Sequence, residues 1–259
     1  MAEPTLGIVL RTTPLRESDL MVVAYTEAYG RVSAVARGAK RSQRRFAGAL
    51  SLLVLANFQL TRRAQREVWT LEAAEVVREW TRLSSDVVAV AHASYVAELV
   101  GALLPPEAPD PHALDVVVGL WESLAEAGPS PAALRSVELE LLELAGHRPA
   151  IDACAACGTE QLTSGVVFDA TRGGAVCRTC AGYSRSTGVR PVDPVALDYL
   201  RTVRKHLTPA QARAVDADPR FAPGDRSAAR DALLAMVGGL VGRPLRSLEY
   251  IAKLAAAGR

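Results

Sequence analysis

Residues 1–80 alternate short runs of β-forming side chains with polar turns. Such runs lie at residues 5–13, 20–25, 31–36, 52–60 and 68–76, and each predicts a strand. The run 31–36 alternates polar and apolar side chains, as a half-buried strand does. A hairpin turn is predicted at Glu27–Gly30, because Gly30 can adopt a positive φ. Five short strands favour a small closed barrel, for which the OB-fold is the five-stranded candidate.

After Trp80 the spacing of apolar residues changes to that of helices. From Val88 to Ala102 they recur three or four positions apart, and Pro105–Pro106 ends the predicted helix. Further helices are predicted at residues 112–127, 132–145, 194–206, 226–240 and 245–256. The predicted fold class is therefore α+β and multidomain. It comprises an N-terminal OB-fold β-barrel at 1–80 and a mainly α-helical domain at 81–259, interrupted by a cysteine module at about 150–183.

All four cysteines of the chain belong to two CxxC pairs. The pairs are separated by 19 residues and consist of Cys154, Cys157, Cys177 and Cys180. Four glycines stand beside or between the pairs, where the backbone must turn tightly: Gly158, Gly173, Gly174 and Gly182. This spacing favours one tetrahedral zinc ion, and four thiolates leave no position for water, so the ion is expected to be structural. A redox dithiol or another metal remain the alternatives.

Basic residues are concentrated in part of the chain. The net charge is only +2, yet residues 1–80 carry +4, residues 81–150 carry −7 and residues 151–259 carry +5. The 36 residues from Arg31 to Arg66 contain nine basic side chains and no acidic one. Two clusters in predicted barrel loops stand out: Arg37, Lys40, Arg41, Arg44 and Arg45, then Arg62, Arg63 and Arg66.

These clusters are predicted to bind the phosphates of DNA. Guanidinium groups pair well with phosphate, and such loops border the binding face of OB-like barrels. The alternative is a solvated loop in an arginine-rich chain, although folded surfaces usually mix both signs of charge. Phe46 and Tyr29 are candidates for stacking on bases, with a place in the core as the alternative.

Motifs of enzymatic chemistry are missing from the sequence. The histidines are scattered, and there is no phosphate-binding loop, dinucleotide fingerprint or nucleophile elbow. Glu138, Glu140 and Glu143 are not interpreted as a metal-binding triplet: at helical spacing Glu140 and Glu143 share a face while Glu138 points elsewhere, which favours a solvated acidic face. No targeting or membrane-spanning segment is apparent, so a cytoplasmic protein without enzymatic activity is expected.

Several N-terminal segments resemble the RecO family of DNA repair and recombination proteins. They are GIVLRT at 7–12, ESDL at 17–20, GRVSAVARGAKRS at 30–42 and RFAGAL at 45–50. The resemblance continues through the helical middle and the cysteine module to the C-terminal helices. The module agrees with those family members that carry a zinc finger.

The resemblance implies a non-enzymatic recombination mediator of the RecF pathway, associated with the nucleoid. Such a protein binds single- and double-stranded DNA, anneals complementary strands and partners RecR. It also contacts the single-stranded DNA-binding protein and helps to load RecA, an indirect partner. The family's DNA-binding surface corresponds here to Arg37, Lys40, Arg41, Arg44 and Arg45.

Two other functions remain as alternatives. One is a zinc-ribbon interaction or transcription adaptor, which would bind through Arg172, Arg178, Arg185 and Arg190. The other is an accessory subunit of an enzyme that processes nucleic acid.

Overall fold

A computed structural model describes residues 4–62, 68–183 and 188–257, and in its first part all five predicted strands form. They are β1 (Thr5–Pro14), β2 (Leu20–Thr26), β3 (Gly30–Ala36), β4 (Val54–Thr61) and β5 (Trp69–Glu79). The short helix α1 (Gln43–Phe46) lies between β3 and β4. The strands close in the order β1-β2-β3-β5-β4, with every pair antiparallel except β3 and β5. The predicted OB-like barrel is therefore confirmed.

The interior of the barrel is filled by one face of each strand. In β3, buried residues alternate with more exposed ones, and the buried Val32, Ala34 and Ala36 are nearly inaccessible to solvent. Phe46 of α1 adds its ring to this core, so its core interpretation is the correct one. Gly30 has a φ of +62°, as the predicted hairpin turn requires.

The long predicted helices also form, with ends that differ by a few residues. The helices after the barrel are α2 (Thr81–Ser85), α3 (Val87–Leu103), α4 (Pro111–Ala127), α5 (Pro131–Leu144), α6 (Arg178–Ala181), α7 (Pro194–Arg204), α8 (Pro209–Ala212), α9 (Pro223–Val241) and α10 (Arg246–Ala257). Side chains of Asp86, Asp110 and Ser130 accept backbone N–H groups at the starts of α3, α4 and α5. These caps fix where the first three long helices begin.

A small antiparallel sheet was not expected from the sequence. It consists of β6 (Val167–Asp169), β7 (Gly174–Val176) and β8 (Val189–Pro191), in the order β7-β6-β8. Strands of three residues are too short to show the two-residue alternation by which strands are recognised. β6 and β7 lie within the predicted cysteine module, whereas β8 follows its predicted end at about residue 183.

Contacts group the chain into two units. The first is Met1–Gly128 together with Ser247–Arg259, and the second is Pro129–Arg246. Strands give way to helices at the predicted boundary of residues 80 and 81. The first compact unit nevertheless extends past this boundary and includes α3 and α4 together with the barrel. The assignment of separate functions to 1–80 and 81–259 stays a prediction.

Specific hydrogen bonds hold the helices of the first unit to the barrel. The Tyr25 hydroxyl of β2 donates to the Asp110 carbonyl and accepts from the Asp110 N–H, both at 3.1 Å. Ser247 donates to the Glu98 carboxylate of α3 through its backbone N–H (3.0 Å) and its hydroxyl (2.6 Å). The second contact joins the start of α10 to α3, which belongs to the same unit as the barrel.

The second unit contains a buried ion pair. Arg135 and Glu138 of α5 approach to 2.7 Å, and their side chains are 6% and 0% exposed. Glu138, which helical spacing turns away from Glu140 and Glu143, is thus buried, whereas Glu143 is exposed and pairs with Arg148. Helical spacing separated Glu138 from the other two glutamates but did not show that it projects into the core together with its cation, Arg135.

Among the residues that the structure describes, no helix combines the length and apolar character needed to cross a membrane.

Replacement of Glu138 by Gln should lower the free energy of unfolding by about 3–5 kcal/mol, because it leaves the Arg135 charge buried without its anion. Glu143→Gln, which breaks an exposed pair, should cost less than about 1 kcal/mol. Urea unfolding of both variants measures the difference. Arg135→Met with Glu138→Leu should recover most of the loss, and equal effects of the two single variants would contradict the assignment.

Candidate metal centre and basic surface

The first cysteine pair lies in a tight backbone turn. The Cys154 N–H donates to the Thr159 carbonyl, and the Gly158 N–H donates to the Cys154 carbonyl, both at 2.8 Å. Gly158 has a φ of +76°, a left-handed conformation that favours glycine. The turn directs the Cys154 sulfur inward, where it is buried, and leaves Cys157 exposed.

The second pair follows β7 directly. Cys177 precedes α6, and its carbonyl accepts the Ala181 N–H at 2.8 Å. A Cβ at Gly174 would lie 2.4 Å from the Ala150 carbonyl oxygen, so only glycine allows β7 to approach the segment that leads to the first pair. Gly182 lies in the turn that the Tyr183 N–H closes onto the Cys180 carbonyl at 3.1 Å, with an ordinary helical φ of −59°.

The fold brings the four cysteines together. Their Sγ atoms all lie within 4.8 Å of one another, and those of Cys157 and Cys177 are 3.9 Å apart. Sulfur atoms about 2.3 Å from a tetrahedral zinc ion would be about 3.8 Å apart. The cluster could therefore hold a metal ion, whereas a redox dithiol would leave the second pair unexplained.

The electrostatics of the cluster favour a cation. Burial raises the pKa of the Cys154 thiol, but backbone N–H groups of Cys177, Ala156 and Cys157 donate to its sulfur and outweigh this, lowering the pKa to about 6. Hydrogen bonds with the thiols of Cys177 and Cys157 raise the pKa of Cys180 to about 12. Further thiolates can form beside Cys154 only if a positive charge balances them.

The first predicted arginine cluster forms a surface that we call the basic loop. It lies in the connection from β3 to β4 and consists of Arg37, Lys40, Arg41, Arg44 and Arg45. The first four are exposed, and Arg45 is half-buried. The Arg45 guanidinium donates to the Arg37 carbonyl (2.6 Å) and lies 5.0 Å from the Phe46 ring centroid. Arg45 therefore holds the loop in shape.

The turn between β1 and β2 packs against the basic loop. The Gly38 N–H donates to Asp19 (2.8 Å), and Lys40 Nζ donates to the Arg16 carbonyl (3.4 Å). Glu17 forms an exposed ion pair of 2.5 Å with Arg41. The fold thus brings a carboxylate to a cluster that has none nearby in sequence.

Two arginines of the basic loop differ from the rest. Among the described residues, the exposed side chains of Arg37 and Arg44 have no carboxylate partner. Arg16 is also exposed and adds a cation to the same surface, which the sequence did not indicate because Arg16 lies 24 residues before Lys40. These guanidinium groups are open to an external anion.

The second predicted cluster is only partly described. Arg63 and Arg66 lie outside the described residues, whereas Arg62 pairs with Glu107 at 2.7 Å and lies 5.5 Å from the Trp69 ring centroid. The Glu107 N–H donates to the carbonyl of Arg31, the second residue of β3. The basic loop follows the last residue of the same strand. The structure therefore places Arg62 and the basic loop at opposite ends of β3.

Three of the four arginines of the adaptor alternative lie within the described residues. Arg172 is 3.6 Å from the buried Asp169, while Arg178 and Arg190 are exposed. Arg185 lies outside the described residues. The positive charge that these arginines offer to an external partner is thus reduced, because Asp169 pairs with Arg172.

Comparison with known proteins finds similarity to one family along almost the whole chain. The family model described as Recombination protein O N terminal matches residues 1–80, and that described as Recombination protein O C terminal matches residues 84–249. A DNA repair protein RecO of Anaeromyxobacter dehalogenans is 37% identical over 245 residues, covering 95% of this chain and 94% of the relative. That of Geobacter sulfurreducens is 32% identical over 248 residues, covering 96% of each.

Proposed function

The chain belongs to the RecO family of DNA repair proteins, and we propose that it acts as a recombination mediator by binding DNA without catalysing a reaction. It binds single- and double-stranded DNA, anneals complementary strands and helps to load RecA onto DNA coated by the single-stranded DNA-binding protein. The observation that carries this proposal is the exposed pair Arg37 and Arg44, which stands on an OB-like barrel without a carboxylate partner among the described residues.

The outer face of β2 and β3 extends the proposed DNA surface. Met21 stands opposite Val35, and Val23 stands opposite Ser33, so these partly exposed, uncharged side chains share one face. The exposed Arg11 of β1 stands opposite Val23. Phosphates held at the basic loop would lead the bases of a single strand over this apolar face, as OB-like barrels bind single strands.

Annealing follows from neutralisation of phosphate charge. Two complementary strands repel each other, and arginines that bind both backbones lower that repulsion and raise the chance of pairing. Binding of this kind releases counterions and weakens steeply as salt rises. No nucleotide or catalytic group is needed.

In the described part of the chain, the four cysteines are the one cluster of three or more His, Cys, Asp or Glu side chains that could hold a metal.

The proposed metal is a single structural zinc ion. Cys154, Cys157, Cys177 and Cys180 would complete its coordination and leave no position for water or substrate. When bound, the ion supplies positive charge that stabilises the thiolates and cross-links two segments of the second unit.

RecR and the single-stranded DNA-binding protein are the proposed protein partners, and RecA is an indirect one. These follow from membership of the family. The proposed location is the cytoplasm, on the nucleoid.

Replacement of Arg37 and Arg44 by Ala should weaken binding to a fluorescent single-stranded oligonucleotide by about ten-fold, or roughly 1.4 kcal/mol. Loss of two phosphate contacts should also reduce the slope of log K against log salt by about 1.4. Arg82→Ala with Arg230→Ala, at two exposed helical positions, is the matched control and should leave both quantities near wild type. An unchanged slope in the first variant would remove the basic loop from the interface.

The wild-type protein should anneal complementary oligonucleotides precoated with the cognate single-stranded DNA-binding protein, without nucleotide or divalent metal. The rate should fall at higher salt and in the Arg37→Ala, Arg44→Ala variant, because both weaken phosphate binding. Quenching of a fluorophore on one strand by a quencher on its complement is a suitable readout if scored against spontaneous annealing. No annealing by folded, metal-loaded protein would favour the zinc-ribbon adaptor instead.

Cys157→Ser should lower the Tm by at least about 5 °C, since loss of one ligand weakens a structural metal site. DNA affinity should stay near wild type at a temperature where the variant is folded. Ala156→Ser, at the neighbouring exposed position, is the control for the added hydroxyl. Elemental analysis of the wild type should find one zinc per chain, and its absence from protein purified without chelator would refute the assignment.

A further inference from the structure

Two connections of the first unit, that from α3 to α4 and that from β4 to β5, meet beside the first residues of β3. Glu107, in the connection from α3 to α4, accepts a hydrogen bond from the Trp69 indole N–H at 3.1 Å through Oε1. Its other oxygen, Oε2, accepts from Arg62 at 2.7 Å. A single carboxylate thus holds both ends of the connection between β4 and β5.

Glu107 is itself fixed in position. Its backbone N–H donates to the Arg31 carbonyl at 3.0 Å, and its φ is +55°, an unusual value for a residue other than glycine. Trp69 packs against Tyr29 with ring centroids 4.7 Å apart. Hydrogen bonds from Trp69 and Arg62 lower the pKa of the Glu107 carboxyl, which therefore stays ionised at neutral pH.

The Arg62 guanidinium is consequently occupied. It is ion-paired with Glu107 and stacked near Trp69, although its side chain is still 37% exposed. The connection between β4 and β5 is one of the loops through which OB-like barrels contact nucleic acid. A phosphate that approached this loop would meet a cation already paired and a fixed negative charge next to it.

We propose that Glu107 is an internal competitor of DNA, whose carboxylate holds Arg62 until a backbone phosphate displaces it. The inference rests on the proposed DNA-binding function and concerns the regulation of the same surface. Carboxylate and phosphate both match the planar guanidinium, so one can replace the other without rearrangement of the barrel. The competition lowers affinity at this end of β3 and helps the protein to release DNA once strands have paired.

A second ion pair in the same unit provides a matched control. Arg78 of β5 pairs with Glu122 of α4, and its guanidinium lies 5.3 Å from the Trp80 ring centroid. This arrangement repeats the chemistry of Arg62, Glu107 and Trp69 outside the barrel loops. Glu122→Gln removes the same charge as Glu107→Gln, so comparison of the two separates a local effect from a change in net charge.

The experiment measures binding of the full-length protein to a fluorescent single-stranded oligonucleotide across a range of salt concentrations. Glu107→Gln should bind about two- to five-fold tighter than wild type, because an exposed ion pair opposes binding by no more than this. Its salt slope should steepen by up to about 0.7, the contribution of one phosphate contact. Glu122→Gln should match wild type. Arg62→Ala with Glu107→Gln should match Arg62→Ala alone.

A spectroscopic readout tests displacement directly. In protein labelled with 5-fluorotryptophan, the ¹⁹F resonance of Trp69, assigned through Trp69→Phe, should shift on addition of DNA and in Glu107→Gln. The Trp80 and Trp121 resonances should stay in place. A Trp69 resonance unmoved by saturating DNA would overturn the proposal, as would a gain in affinity that persists when Arg62 is also replaced.

Failure of this inference can be distinguished from failure of the proposed function. If the Arg37→Ala, Arg44→Ala variant loses affinity while Glu107→Gln equals wild type, competition is refuted and DNA binding at the basic loop stands. If neither wild type nor Glu107→Gln binds the oligonucleotide, both are refuted. Circular dichroism of each variant confirms that the barrel is folded in either case.

Discussion

Two residue pairs, Ala34 with Trp69 and Val35 with Thr70, close the barrel through the parallel contact of β3 and β5. A parallel pair needs a long crossover, and the connection that contains α1 and β4 supplies it. Because β5 starts beside Ala34 and runs in the same direction as β3, the connection from β4 approaches from the side on which β3 begins. The basic loop leaves the other end of β3, where it meets the turn from β1 to β2. The separation of the two arginine clusters is therefore a consequence of barrel closure.

The barrel and the cysteine cluster were predictable because their signals are local. Alternation within β3, and the spacing within each CxxC pair, are visible in a few consecutive residues. The charge left unpaired in the two arginine clusters was harder to predict, since Glu17 and Arg41 are 24 residues apart, and Arg62 and Glu107 are 45 apart. Glu138 is a third kind of difficulty. Its burial depends on how α5 packs, which the spacing of glutamates along one helix does not contain.

Arginines that look alike in sequence have different roles once folded. Arg45 stabilises its own loop, Arg41 and Arg62 pair with carboxylates, and Arg37 and Arg44 face solvent without such a partner among the described residues. A count of basic residues therefore overstates the charge available to DNA. The useful quantity is the number of guanidinium groups whose partners are water alone, because only these gain a full new contact from a phosphate.

The second unit has a separate requirement for stability. Its small sheet has strands of three residues, and sheets this short are not stable by hydrogen bonding alone. The two cysteine pairs lie before β6 and directly after β7, so a metal held by both would fix the ends of that hairpin. Four thiolates can coexist at this distance only beside a cation that balances their charge. If the proposed zinc ion is bound, the fold of this segment would depend on it, whereas the barrel has an apolar core of its own.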